Sequence, residues 1–204
     1  MIKAVVFDIG GVIIDLDYEK AVNSFREKAG FVTIGEYLDL WRQRGFFEQL
    51  EAGAMSEEEF VPLCLAQCRP GTKPEVLQEC LDDFLVGIDS RKAELIRALS
   101  EKYPLYLLSN NNPISMRGCE KMFAAAGIPM DKYFRKRFIS SEMKMVKPEP
   151  PIYLAAIEAI GCRPEEILFI DDSQKNVDGA RAVGIDARKC TTLDSFCSTL
   201  KEFL

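Results

Sequence analysis

Histidine is absent from the 204 residues, tryptophan occurs once, and no apolar stretch is long enough to cross a bilayer. The missing imidazole excludes serine and cysteine triads that depend on it, and every metal site built on histidine. Acid–base or metal chemistry must therefore rest on carboxylates, lysines and hydroxyls. Basic charge is also short: 26 Lys and Arg face 32 Asp and Glu, and the net charge of −6 argues against a nucleic-acid-binding surface. A basic stretch from Lys132 to Lys147 (Lys132, Arg135, Lys136, Arg137, Lys144, Lys147) is the local exception, and all of it but Lys147 reads as a solvated loop face. The apolar run Ala4–Phe7 is too short for a signal peptide and ends on Asp8. Seven cysteines are odd in number and scattered. Cys64 and Cys68 sit one helical turn apart, but no histidine can complete a zinc site with them. Reduced cysteines in a cytoplasmic protein, with neither membrane nor nucleic acid as partner, are the expectation.

What is present is a rhythm of short apolar runs that end in polar residues. Ala4-Val5-Val6-Phe7 runs into Asp8, Leu105-Tyr106-Leu107-Leu108 into Ser109-Asn110, and Ile167-Leu168-Phe169-Ile170 into Asp171-Asp172. Continuous apolar runs of this length predict strands buried on both faces, as in a parallel sheet. Helices fall between them. Leu95, Ile96 and Leu99 line one; Tyr153, Ala156, Ile157 and Ile160 line another, closed by Gly161; Val177, Ala180 and Val183 mark a third, closed by Gly184. The alternation predicts an α/β fold with a doubly wound parallel sheet, built from residues 1–15 and 89–204. Residues 16–88 break it with a helical insertion after the first strand, in which no strand is expected. There Ser56-Glu57-Glu58-Glu59 forms a capping box for a helix that presents Phe60, Leu63 and Cys64 on one face. Pro74 to Leu85, Tyr18 to Lys28 and Ile34 to Arg44 read as three further helices.

Ligands of doubly wound sheets bind at the carboxyl ends of the strands. The three polar clusters therefore converge, and Val146-Lys147-Pro148 adds a fourth element. The expected site holds Asp8, Ser109, Asn110, Lys147, Asp171 and Asp172. Three carboxylates repel one another unless a cation lies among them, and an all-oxygen set without imidazole or thiolate points to Mg²⁺. A lysine and a hydroxyl beside such a metal make a phosphate cradle, and an aspartate there can attack phosphorus to give an acyl phosphate.

These residues resemble the haloacid-dehalogenase superfamily. Phe7-Asp8-Ile9-Gly10-Gly11-Val12 is similar to its first motif, Leu108-Ser109-Asn110 to its second and Lys147-Pro148-Glu149 to its third. Phe169-Ile170-Asp171-Asp172-Ser173, with Asn176-Val177 and Gly179-Ala180, is similar to the fourth. The resemblance implies an Mg²⁺-dependent phosphatase for a small phosphorylated metabolite, with the helical insertion as a cap over the active site. It implies Asp8 as nucleophile and metal ligand, and Gly10 as a metal ligand through its backbone carbonyl. It further implies Ser109 and Lys147 as partners of the phosphoryl group, with Asn110 beside them at the substrate, Asp172 as a direct ligand, and Asp171 acting through water.

One departure stands out. Most phosphatases of the superfamily carry a second aspartate two residues after the nucleophile as general acid and base, and here that position is Gly10. The pattern Asp8-x-Gly10-x-Val12 followed by Asp15 and Asp17, with Phe47-Glu48-Gln49-Leu50-Glu51-Ala52-Gly53 in the insertion, resembles a subgroup that includes bacterial α-glucose-1-phosphate phosphatases. Loss of the acid implies a preference for good leaving groups, a sugar 1-phosphate among them, unless Asp15, Asp17 or Glu48 substitutes. Asp15 and Asp17 otherwise read as a solvated hinge, Trp41, Phe46 and Phe47 as helix packing, and Met143 and Met145 as loop packing. Three alternatives share the residue set. A haloacid dehalogenase needs neither metal nor leaving-group proton, but the Asp171-Asp172 pair would then only repel an anionic substrate. A phospho-accepting signalling module would leave the large insertion unexplained, whereas a family member that binds phosphate without turnover stays open because of Gly10.

Overall fold

The three apolar runs form the middle of one sheet. A computed structural model describes residues 1–39 and 43–204. In chain order the elements are β1 (Ala4–Phe7), β2 (Asp15–Leu16), α1 (Tyr18–Ser24), α2 (Phe46–Glu51), α3 (Glu57–Leu65), α4 (Pro74–Asp82), β3 (Leu85–Gly87), α5 (Ser90–Ser100), β4 (Leu105–Ser109) and α6 (Pro113–Ala125). There follow α7 (Met130–Tyr133), β5 (Phe134–Ile139), α8 (Ser140–Met143), α9 (Pro150–Ile160), β6 (Ile167–Asp171), α10 (Gln174–Ala182), β7 (Asp186–Lys189) and α11 (Leu193–Lys201). Five strands pair in parallel in the order β5-β4-β1-β6-β7, with Val6 of β1 between Tyr106 and Phe169.

Side chains of a strand alternate between faces, so this sheet has two cores. Val5, Phe7, Leu107 and Ile170 lie on one, under α5, α6 and α11. Ala4, Val6, Leu108 and Phe169 lie on the other, under α9 and α10. Each large side chain buried there stabilises the fold by about 1.5–3 kcal/mol. The doubly wound parallel sheet is as expected, and the insertion after β1 is mainly helical, with its own core around Phe25, Phe31, Phe47 and Phe60.

Five local expectations need correction. Residues 15–16 and 85–87 pair as an antiparallel ribbon at the base of the insertion, two strands too short to leave a periodic signal. Leu85 thus belongs to β3, and α4 stops at Asp82. Ile34 to Arg44 is not one helix: a 3₁₀ turn covers Val32–Glu36, Gln43 and Arg44 are irregular, and Trp41, read as helix packing, lies outside the described residues. The capping box of α3 is present, with Glu59 N–H donating to Ser56 Oγ at 3.2 Å and Ser56 N–H to Glu59 Oε2 at 2.8 Å, but Leu63 is exposed. Arg135, Lys136 and Arg137 are no loop. They occupy β5, an edge strand, where charged side chains discourage pairing with another chain. No helix among the described residues is long and apolar enough to cross a membrane.

Packing reaches the backbone at Gly179 of α10, where a β-carbon would lie 2.5 Å from the Pro148 carbonyl oxygen and 3.1 Å from the Tyr153 ring. Gly179→Ala gains about 0.5–1 kcal/mol of helix propensity but overpacks a rigid contact, at a cost of about 1–3 kcal/mol. The expected result is a lower urea midpoint than wild type, with Gly35→Ala, whose β-carbon would sit 3.8 Å from its nearest neighbour, shifted little. An unchanged midpoint for Gly179→Ala would show that the contact yields.

Candidate active site

The carboxyl ends of β1, β4 and β6 bring the expected residues together. Asp8 follows β1, Ser109 ends β4, Asp171 ends β6, and Asp172 follows it. Lys147 enters from the loop before α9. Its ammonium, only 1% exposed, lies 3.0 Å from Asp8 Oδ1 and 2.7 Å from Asp171 Oδ2, and 5.5 Å over the Phe169 ring. Its backbone is clamped as well: Asn110 Oδ1 accepts from the Lys147 N–H at 2.8 Å, and Asn110 Nδ2 donates to its carbonyl at 3.0 Å. Asn110 thus touches Lys147 at two points and also lines the cavity.

Asp171 is fully buried and saturated. Ser173 N–H and Asn176 Nδ2 donate to its Oδ1 at 2.8 and 3.0 Å, while Lys147 holds Oδ2. Asp172 is partly buried and fits against the backbone of Gly11, where a β-carbon would stand 2.1 Å from Asp172 Oδ2. Gly11 also has φ of +71°, so glycine is required there twice over. Asp8, Asp171 and Asp172 each offer an oxygen within 4.8 Å of the others. Such a set of hard donors suits a divalent cation of the Mg²⁺ kind.

A cavity of about 130 Å³ opens on Asp8, Gly10, Ser109 and Asp172, and the insertion roofs it with Leu38, Gln43, Phe47 and Glu51. A second cavity, of about 620 Å³, borders Glu48, Glu51, Lys147 and Asp172. Asp15 and Asp17 reach neither. Asp15 holds the buried Lys92 at 2.7 Å, and Asp17 caps α1 by accepting from Lys20 N–H at 2.9 Å, so both have structural partners where the chain enters the insertion. Arg44 and the surface lysines Lys132 and Lys144 also lie outside both cavities, and Phe46 and Phe47 pack with Tyr37 and Phe60.

Sequence reasoning missed four contributors. Asn176 orients Asp171, Gly11 admits Asp172, Ser140 ties core to insertion, and Glu51 enters the cavity from above. Glu51, Gly11 and Asn176 left a trace, inside motifs quoted for other residues; Ser140 left none.

Burial pushes Asp8 from an ordinary 3.8 to about 7; Lys147 opposes this, and Asp171 and Asp172 add to it. Burial raises Asp172 to about 6, with Asp171 adding and Lys147 opposing. Glu51 rises to about 7 by burial against the pull of Lys147, helped by Asp8 and Glu48. For Lys147 burial pulls down, but Asp171 and Asp8 outweigh it and hold the ammonium charged.

A model of the haloacid dehalogenase-like hydrolase family matches residues 2–184. The chain is 35% identical over 187 residues to a D-ribitol-5-phosphate phosphatase of Bacteroides thetaiotaomicron, covering 91% of this chain and 90% of that one. It superposes with a TM-score of 0.85 on a haloacid-dehalogenase-family enzyme of the same organism solved with magnesium and inorganic phosphate, at 36% identity over 93% and 94% of the two chains. A haloacid-dehalogenase-like hydrolase of Porphyromonas gingivalis gives 0.89 at 32% identity, covering 100% and 98%. The chain belongs to the haloacid dehalogenase-like hydrolase family.

The raised carboxylates fix a sign. In excess chelator the folded state keeps protons on Asp8, Glu51 and Asp172 that the unfolded chain has released, so their stabilisation is lost as pH rises through about 6 to 7. Against opposing burial, hydrogen bonds from Lys28, Ser24 and Lys20 lower Asp83 to about 2, and that group acts in the other direction only in stronger acid. Urea denaturation of the chelated protein is expected to show lower stability at about pH 7.5 than at about pH 5. A flat or rising profile would contradict this electrostatic picture.

Proposed function

We propose that the protein is an Mg²⁺-dependent phosphatase of a small phosphorylated sugar or polyol, working through an aspartyl-phosphate on Asp8. The observation that carries this reading is the buried Lys147 ammonium between Asp8 and Asp171, beside Asp172. This arrangement holds Asp8 and Asp171 against one buried cation and leaves carboxylate oxygens free for a metal ion. Residues 1–15 and 89–204 act as the catalytic core, and residues 16–88 as its cap.

Asp8 supplies the nucleophilic oxygen that bonds to phosphorus. Ser109 and Lys147 bind the phosphoryl oxygens, and the Lys147 charge balances the negative charge that builds as the ester bond breaks. Asn110 lines the substrate cavity and holds Lys147 in register. Asp8, Asp172 and the Gly10 carbonyl would hold the cation, with Asp171 orienting it through water. The cation, when bound, draws charge from the phosphoryl oxygens and offsets repulsion between phosphate and the aspartates.

The dehalogenase alternative loses support from the carboxylate cluster and from the 35%-identical phosphatase relative. The substrate belongs among sugar and polyol monophosphates. A sugar 1-phosphate, the expectation drawn from Gly10, has no support from that relative, whose named substrate carries phosphate on a terminal alcohol.

Asp8→Asn is expected to abolish turnover of ribitol 5-phosphate without lowering the melting temperature, because the amide is nearly isosteric but cannot attack phosphorus. Near-wild-type turnover by Asp8→Asn would overturn the mechanism. Excess chelator should stop phosphate release, and added Mg²⁺ should restore it; full activity in chelator would overturn the metal requirement. Lys147→Ala is expected to lower kcat/KM by about 10²–10³, whereas Lys144→Ala, on the exposed side of the same loop, should change it little. Equal, mild effects would remove Lys147 from the site.

A further inference from the structure

The phosphatase reading, on which this inference rests, leaves one proton unassigned. The alkoxide leaving a terminal alcohol is a poor leaving group and needs a donor, and Gly10 offers no side chain. The space a side chain at Gly10 would use faces Leu16, whose Cδ1 would be 3.0 Å from an added β-carbon. The wall beside the nucleophile is therefore apolar. The nearby carboxylates are committed elsewhere. Asp171 is saturated by Lys147, Ser173 and Asn176, Asp15 holds Lys92, and Asp17 caps α1. Glu48 borders the second cavity but not the one containing Asp8.

Glu51 is different. It is the last residue of α2 and lines the same cavity as Asp8, Gly10 and Ser109, on the wall contributed by the cap. Among the described residues its half-buried carboxylate has no hydrogen-bond or ion-pair partner, and Ser140 bonds only its backbone carbonyl. Its backbone, in contrast, is fixed to the core. Ser140 Oγ, fully buried at the start of α8, donates to the Glu51 carbonyl at 2.6 Å and accepts from Asn111 N–H at 2.9 Å. Two residues on, Gly53 takes φ of +67° and passes so close to the core that a β-carbon would meet the Ser141 carbonyl oxygen at 2.2 Å. Phe47 and Leu50 anchor the rest of the helix in the insertion's core. The peptide is held, and the carboxyl group is left facing the reaction chamber.

We propose that Glu51 is the proton donor to the leaving oxygen, taking from the cap the role that Gly10 cannot fill. In the first step an Asp8 oxygen bonds to phosphorus, the ester P–O bond breaks, and the Glu51 carboxyl proton passes to the departing oxygen, which leaves as the alcohol. In the second step water attacks phosphorus, the Glu51 carboxylate takes its proton, the bond between phosphorus and Asp8 breaks, and phosphate leaves. Glu51 faces Lys147 from the core loop, Asp8 from β1 and Glu48 from its own helix; burial and the two carboxylates outweigh the lysine and favour its neutral form near neutral pH. This assignment also explains how a chain with Gly10 can act on an ester with a poor leaving group.

The test is the rate of alcohol release in the first turnover, with Mg²⁺, from ribitol 5-phosphate and from 4-nitrophenyl phosphate. An aryl oxide needs no donor, so Glu51→Gln is expected to slow release from ribitol 5-phosphate by about 10²–10⁴-fold while changing the aryl burst only a few-fold. Steady-state turnover of both should fall, because the second step has lost its base. Glu48→Gln should leave both bursts near wild type. Equal loss on the two esters, no loss on either, or the same selectivity in Glu48→Gln would overturn the assignment. If Glu51→Gln does not fold, as judged by its melting curve, the wild type decides. Its first-turnover rate on the polyol ester should fall with rising pH where the aryl rate does not, and parallel profiles would overturn the proposal. A wild type that releases no alcohol from either ester defeats the phosphatase reading, whereas an active wild type with an indiscriminate Glu51→Gln variant defeats only Glu51.

Discussion

Lys147 buries its ammonium between Asp8 and Asp171, and the surrounding structure is arranged to keep it there. Asn110 grips its backbone from β4, Phe169 lies beneath it, and Asn176 and Ser173 hold the far side of Asp171. Removing one partner from a buried charge cluster of this kind costs about 3–5 kcal/mol, because the remaining charge has nothing to answer it. The sheet meets that demand through its topology. With β1 central and β4 and β6 on either side, three strand ends lie within reach of one lysine. The same lysine allows three aspartates to share a small volume, which is what a cation site requires before its cation arrives.

The insertion completes this arrangement by leaning on the core at two places. One is α6, where Arg117 forks onto Glu57 at 2.7 and 2.8 Å, Gln78 donates to the Ile114 carbonyl at 3.0 Å, and Gly118 gives room to Asp82. The exposed ion pair contributes little, about 0–1 kcal/mol; the close packing at glycine sets the approach. The other is the Ser140–Glu51 contact, which lies directly over the chamber. A cap seated at both points supplies a wall, and in Glu51 a functional group, that the core sequence around Asp8 lacks.

Much of this was legible in the sequence because the parallel sheet buries both faces of its central strands. Ala4–Phe7 is bounded as the apolar run indicated, and Leu105–Ser109 and Ile167–Asp171 extend theirs by one polar residue each, the residue that enters the site. The outer strands escaped notice for the opposite reason. Phe134–Ile139 carries three cations and Asp186–Lys189 has one buried side chain, because an edge strand exposes what a central strand hides. The candidate site followed from the strand ends and the spacing of its motifs. Its supporting residues did not, since Asn176, Ser140 and Gly11 act through contacts across 5, 89 and 161 positions of chain. Glu51 was hidden among the five glutamates Glu48, Glu51, Glu57, Glu58 and Glu59, and only the structure, which places it and not Glu48 on the cavity of Asp8, distinguishes the two.

The central claim is that phosphate passes through Asp8. Acid quenching during the first turnover of ribitol 5-phosphate, followed by borohydride reduction and peptide mass spectrometry, tests it directly. The account expects the acid-trapped acyl phosphate to be reduced, with loss of phosphate, so that homoserine appears at the Asp8 position of its peptide, in a yield that falls away once the substrate is consumed. Turnover with no phosphorylated carboxylate, or with the phosphoryl group on another residue, would contradict it.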